Sequence, residues 1–74
     1  MNTRLQTDRV KLQNLKHNEN CVINWIEEGG CEVYRIWDVF VVFTVPQYGG
    51  EPMYEDTYHV SQIDTLLDFA YSIT

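Results

Sequence analysis

Between residues 31 and 60 the chain reads CEVYRIWDVFVVFTVPQYGGEPMYEDTYHV, the densest run of β-branched and aromatic residues in the sequence. Such side chains fit the pleated, half-buried surface of a sheet, so the run predicts three antiparallel strands. The first covers residues 32–36 and turns at Trp37-Asp38. The second, residues 39–45, is apolar on both alternating faces: Val39, Val41, Phe43 and Val45 on one, Phe40 and Val42 on the other. A strand that reads this way is covered on both sides and belongs at the centre of a sheet. Pro46 removes a ladder donor and ends the strand, and Gly49 and Gly50 give the following loop access to positive φ. The third strand, residues 53–60, alternates Tyr54, Asp56, Tyr58 and Val60 against Met53, Glu55, Thr57 and His59, and such mixed faces suit a sheet edge.

Helical periodicity flanks this sheet. Residues 3–16 place Leu5, Leu12 and Leu15 on one face of a helix, with Val10 at its edge and Arg4, Asp8, Lys11 and Gln13 opposite. The polar tetrad at residues 17–20 breaks it. Residues 21–28 read two ways. Asn18 or Asn20 as an N-cap and Gly29 as a C-terminal stop would make a short helix burying Val22, Trp25 and Ile26. The β-branched content, and the poor fit of Glu27 and Glu28 to a helix C-terminus, instead favour a strand entering a hairpin. The helical reading is preferred. Ser61 opens the last helix as its cap, with Asp64 placed to return a bond, and Ile63, Leu66, Leu67, Ala70 and Ile73 form its apolar stripe, widened by Phe69 and Tyr71. The expectation is therefore one α+β domain over residues 1–74, a three-stranded antiparallel meander flanked by N-terminal and C-terminal helices (α-β-β-β-α).

Charge is distributed unevenly. The net charge is −6, but residues 1–17 hold Arg4, Arg9, Lys11 and Lys16 against Asp8, whereas residues 18–74 hold Arg35 against ten carboxylates. A basic N-terminal segment thus faces an acidic body, its own or another copy's, or the acidic body is offered to a basic partner. A nucleic-acid surface is hard to build from one arginine, so no direct nucleic-acid binding is expected. No apolar run approaches the ~18 residues of a membrane span, and the N-terminus lacks the apolar stretch of a secretion signal. A soluble cytoplasmic protein is expected. Cys21 and Cys31 are too few for a disulfide scaffold and read as packed thiols.

The order of elements resembles the double-stranded-RNA-binding domain in topology, but where that family carries lysines at the start of its last helix this chain has Ser61, Gln62, Ile63, Asp64 and Thr65. A closer likeness lies in Tyr34, Trp37, Asp38 and Phe40, in Val45-Pro46-Gln47-Tyr48-Gly49-Gly50-Glu51-Pro52, and in Tyr58 with the helix of residues 63–71. This VPxYGGEP-type segment is similar to small uncharacterised proteins of gut anaerobic bacteria, some of which accompany mobile elements. The resemblance covers about the last forty residues and implies a bacterial context without a mechanism. In composition alone the chain also resembles small acidic inhibitors that mimic nucleic acid.

Candidate chemistry is sparse. There is no G-x-S-x-G, H-E-x-x-H or G-x-x-x-x-G-K pattern, and no catalytic residue or cofactor is assigned. His17 and Cys21 are spaced i, i+4, and with Cys31 and His59 they are the candidate shell of a zinc-stabilised domain, although none forms a close C-x₂-C pair. Glu51, Glu55 and Asp56 lack the spacing of a calcium loop. Two features remain. The loop Tyr48, Gly49, Gly50, Glu51 and Pro52 sets an aromatic beside flexible glycines and an acid, a form suited to recognition. The sheet also carries more aromatic surface than one terminal helix covers, so its second face must meet residues 3–28, a second copy or a partner, with Phe40, Phe43 and Tyr58 as candidate interface residues. These features predict a non-enzymatic protein-interaction module that engages a protein partner or a second copy of itself. The acidic inhibitor and the zinc-stabilised domain are the alternatives.

Overall fold

Residues 20–26 join the sheet, and this sets the architecture. The computed structural model describes residues 3–27 and 29–72. Helix α1 (Thr3–Asn14) is followed by strands β1 (Asn20–Ile26), β2 (Gly29–Ile36), β3 (Val39–Val45) and β4 (Met53–His59). A 3-10 turn (Val60–Gln62) then leads into helix α2 (Ile63–Ser72). The sheet is an antiparallel meander of four strands in the order β1-β2-β3-β4. Three strands and a short second helix were expected, so the preferred helical reading of residues 21–28 is corrected. The β-branched residues Val22 and Ile23 pair with Glu32 and Cys31 across a ladder, a gain that a short isolated helix does not offer. Residues 18 and 19 extend the pairing, with the Asn18 and Arg35 amides donating to the Arg35 and Glu19 carbonyls at 2.7 and 2.9 Å.

Two irregularities steer side chains. The β1–β2 ladder slips between Ile23 and Ile26, where Asn24 takes a φ of 47°. The β3–β4 ladder slips between Val42 and Phe43, so that Asp56 faces Val42 and Tyr54 faces Phe43 with Glu55 as the extra residue. Such a bulge reverses the alternation beyond it. Tyr54 and Tyr58, four residues apart, therefore lie on opposite faces of the sheet.

Both helices lie on one face. Leu12 and Leu15 of the N-terminal segment and Leu66, Leu67 and Ala70 of α2 close over Ile23, Cys31, Val33, Phe40 and Val42, with Tyr58 and Phe69 at the margin. The Cα envelope is only 17 Å in its thinnest dimension, which suits one helix layer on one sheet. Asp8 falls inside the apolar stripe of α1 and is buried, a correction to its expected place on the solvent side. The entry to α2 differs too. His59, not Ser61, caps the 3-10 turn: its Nδ1 accepts the Ser61 amide at 3.1 Å, and the Gln62 side chain accepts the His59 amide at 2.9 Å. Asp64 instead pairs with Arg9, joining α2 to α1. Ile73, expected in the α2 stripe, and Glu28 of the hairpin lie outside the described residues.

Candidate functional site

Direct cross-strand partners share a face, so the register states what the helices leave bare. Opposite the core lie Val22 of β1, Glu32, Tyr34 and Ile36 of β2, Val39, Val41 and Phe43 of β3, and Tyr54 and Thr57 of β4. Tyr34, Phe43 and Tyr54 form a chain of edge-to-face rings running obliquely over three strands, each centroid 5.8 Å from the next. This is the favoured arrangement of ring quadrupoles. Beside it, Glu32, Tyr34, Ile36, Val41, Phe43, Glu51 and Pro52 line a shallow groove of about 670 Å³. Tyr34 and Tyr54 remain 36% and 54% exposed, whereas Phe40 on the reverse side of β3 is 1% exposed.

Local interactions fix this surface. The Tyr34 hydroxyl donates to Glu32 Oε1 at 2.6 Å, and that bond to a carboxylate holds the phenol above its usual pKa. At the far edge the Tyr54 hydroxyl lies 2.9 Å from Thr57 Oγ1. Rings anchored in this way lose little freedom on contact with a second surface.

The expected loop divides in two. Tyr48, at a φ of 56° and 85% exposed, turns away from the groove and donates its hydroxyl to Glu27 at 2.7 Å, while Gln47 donates to the Ile26 carbonyl at 3.1 Å. That half of the loop braces the β1–β2 hairpin. Gly29 permits the approach, since a Cβ there would stand 2.6 Å from the Gln47 backbone nitrogen. Gly49 and Gly50 reverse the chain at φ of 97° and 124°, returning Glu51 and Pro52 to the groove wall. Of the candidate interface residues, only Phe43 is on the bare face. Phe40 is sealed beneath the helices, and Tyr58, half-buried, packs toward Phe69 with centroids 6.5 Å apart.

His17, Cys21, Cys31 and His59 are not brought together. Among the described residues no three His, Cys, Asp or Glu side chains are grouped as metal ligands. His17 Nδ1 accepts the Trp37 amide at 2.8 Å and its ring stacks on that indole at 3.9 Å. His59 serves as the cap described above. Both cysteines are free thiols, and burial pushes each up to about 11, which disfavours the nucleophilic thiolate.

A polar cluster that the reading of the sequence missed ties the helix layer to β1. The Asn24 amide donates to Asp8 Oδ2 at 2.8 Å, and the Asn24 side chain donates to the Ala70 carbonyl at 3.1 Å and accepts from Arg4 at 3.1 Å. The Tyr71 hydroxyl donates to the same Asp8 oxygen. Three elements of the chain, α1, β1 and α2, thus meet at one bulge. An asparagine following β-branched residues was the available signal, because a polar side chain inside a strand needs a partner.

Fold and site together define a two-layer α+β module with one sheet face left uncovered. Comparison with protein-family models, with curated proteins and with solved structures finds no match to this chain. No described helix is long and apolar enough to cross a membrane.

Proposed function

We propose that this chain is a non-enzymatic protein-interaction module whose contact surface is the bare face of its sheet, centred on Tyr34, Phe43 and Tyr54. One observation carries the reading. Neither segment free to cover the second face does so, since residues 3–14 pack on the same side as α2 and residues 20–26 become a strand. A contiguous apolar surface rimmed by polar groups is the usual mark of a protein contact. The ring chain and its neighbours Ile36, Val39 and Val41 supply such a surface, and the groove is shallow, a form better suited to a protein surface than to enclosing a small molecule.

Site-specific photo-crosslinking in the native host tests this. A benzophenone residue replacing Thr57 on the bare face should give discrete protein adducts that survive about 0.5 M salt, where exposed charge attraction is strongly screened. The same residue replacing Thr65, exposed on α2, should give none. Adducts from position 65 alone would overturn the assignment of the face.

A further inference from the structure

We infer that the occupant of this face is a lysine- or arginine-flanked amphipathic helix from another protein, an inference that rests on the interaction reading above. Charge is segregated between the layers. Arg4, Arg9 and Lys11 belong to α1 and Lys16 follows it, while Arg35 turns to the helix side, where it donates to the Leu15 carbonyl at 2.8 Å. The only charged side chains lining the groove are the carboxylates of Glu32 and Glu51. Among the described residues no lysine or arginine forms an ion pair with either. A partner that brings apolar anchors and a cationic flank satisfies both parts of the groove.

A second copy fits less well. A two-fold arrangement that buries the groove brings Glu32 and Glu51 of both copies together, and like charges there are costly. Docking one copy's α1 onto the next copy's bare face would draw Arg9 and Lys11 from Asp64 and Asp8 and leave the far face open, which propagates without closing. Four strands of seven to eight residues give a face of about 20 by 23 Å.

The sheet itself shows what a surface of this size accommodates. Its reverse face is covered by α1 and α2, and a helix of 12 residues is about 18 Å long, close to the face's dimensions. Strand addition is disfavoured at the β4 edge, where the Glu55 bulge breaks the ladder and Asp56 adds charge. Since Glu32 and Glu51 line one groove, the cations of a docked helix fall along one flank of its apolar stripe.

The test is a backbone-amide NMR titration of the full chain with two synthetic amphipathic peptides that share one leucine stripe and differ only in lysine or glutamate flanks. The lysine peptide should shift the amides of Tyr34, Ile36, Val41, Phe43 and Tyr54 and bind about tenfold more tightly than the glutamate peptide. E32Q with E51Q, both substitutions on the surface, should abolish that preference while leaving the spectrum of the free protein folded. Equal binding of the two peptides at the bare face would overturn the cationic partner and leave the interaction face standing. Shifts confined to the helix layer would overturn both. A scrambled lysine peptide that binds as well as the amphipathic one would reduce the effect to charge alone and overturn the helix. Broadening of the bare-face signals on concentration without peptide would make a second copy the occupant instead.

Discussion

The two faces of β3 are built from the same kinds of residue and meet opposite fates. Phe40 and Val42 lie under two helices with almost no exposure, while Val41 and Phe43, one residue along, are half-buried on a face that neither described helix covers. Hydrophobicity alone does not separate them. What separates them is the placement of the helices, which pack their leucines on one face and are tied to β1 by the contacts of Asp8 and Asn24. The covered face carries the buried core of the domain, and the bare face is ordered by local ring contacts.

The largest consequence is an asymmetry in tolerance. At ~0.05–0.15 kcal/mol per residue, a chain of 74 residues has about 4–11 kcal/mol of stability. Removing the buried Phe40 ring (F40A) should cost about 3–5 kcal/mol, a large part of that total. F43A removes a ring of similar size from the bare face and should cost less than half as much in urea denaturation. Equal costs would mean that the bare face is part of the core and would remove the basis for reading it as a contact surface.

Next in size is the polar cluster that seats the helices. D8A removes the acceptor shared by the buried Asn24 amide and the half-buried Tyr71 hydroxyl, a loss of about 1–3 kcal/mol. D8N keeps an acceptor oxygen in place and should recover part of that loss. A D8A cost under ~0.5 kcal/mol, the range of ordinary surface substitutions, would show that apolar packing alone positions α1.

This cluster also marks where the sequence stops being legible. The central strand could be read because its apolar residues fill both alternating faces, and the meander, the loop at Pro46 and α2 followed from it. Strand β1 could not. Its Asn24 looks like a break until Asp8 and the Ala70 carbonyl, 16 and 46 residues away, are brought to it by the fold. Aromatic counting indicated that a face would need a cover, but alternation grouped Tyr54 with Tyr58, and only the Glu55 bulge parts them. In the Tyr48–Pro52 loop, chemistry was visible and direction was not, because the Tyr48 hydroxyl is claimed by Glu27 on a different hairpin.

The covered face also responds to alkali. Cys21 and Cys31 pair with Val33 and Ile23 on the covered side, and burial raises both thiols from 9.0 to about 11. A raised folded pKa means that the native state keeps protons the unfolded chain releases, so stability is full below pH 9 and falls between about pH 9 and 11. Burial, with the bond to Asp8, also holds the Tyr71 hydroxyl above the usual phenol range, extending the decline past pH 10. The urea midpoint should therefore drop from pH 8 to pH 10.5, and C31A should flatten part of that drop. A flat profile in the parent protein would contradict the burial of these groups.

The smallest effect is expected where the bare face ends, at the β2–β3 turn. Trp37 occupies it at a φ of 53° and 70% exposure, a left-handed backbone that costs a bulky residue about 1 kcal/mol or more. The compensation is local: the indole stacks on His17, and the His17 ring nitrogen takes the Trp37 amide. An exposed stack of this kind is worth ~0.5–1.5 kcal/mol, so the two contributions nearly cancel. W37N relieves the backbone and removes the stack while keeping the amide donor, and its unfolding free energy should stay within about 0.5 kcal/mol of the parent. A loss above ~1.5 kcal/mol would mean that the stack is structural and that the edge of the bare face is held as firmly as the core. A clear gain would leave the indole as a residue kept at a cost to the fold, and would extend the contact surface from Ile36 around the turn.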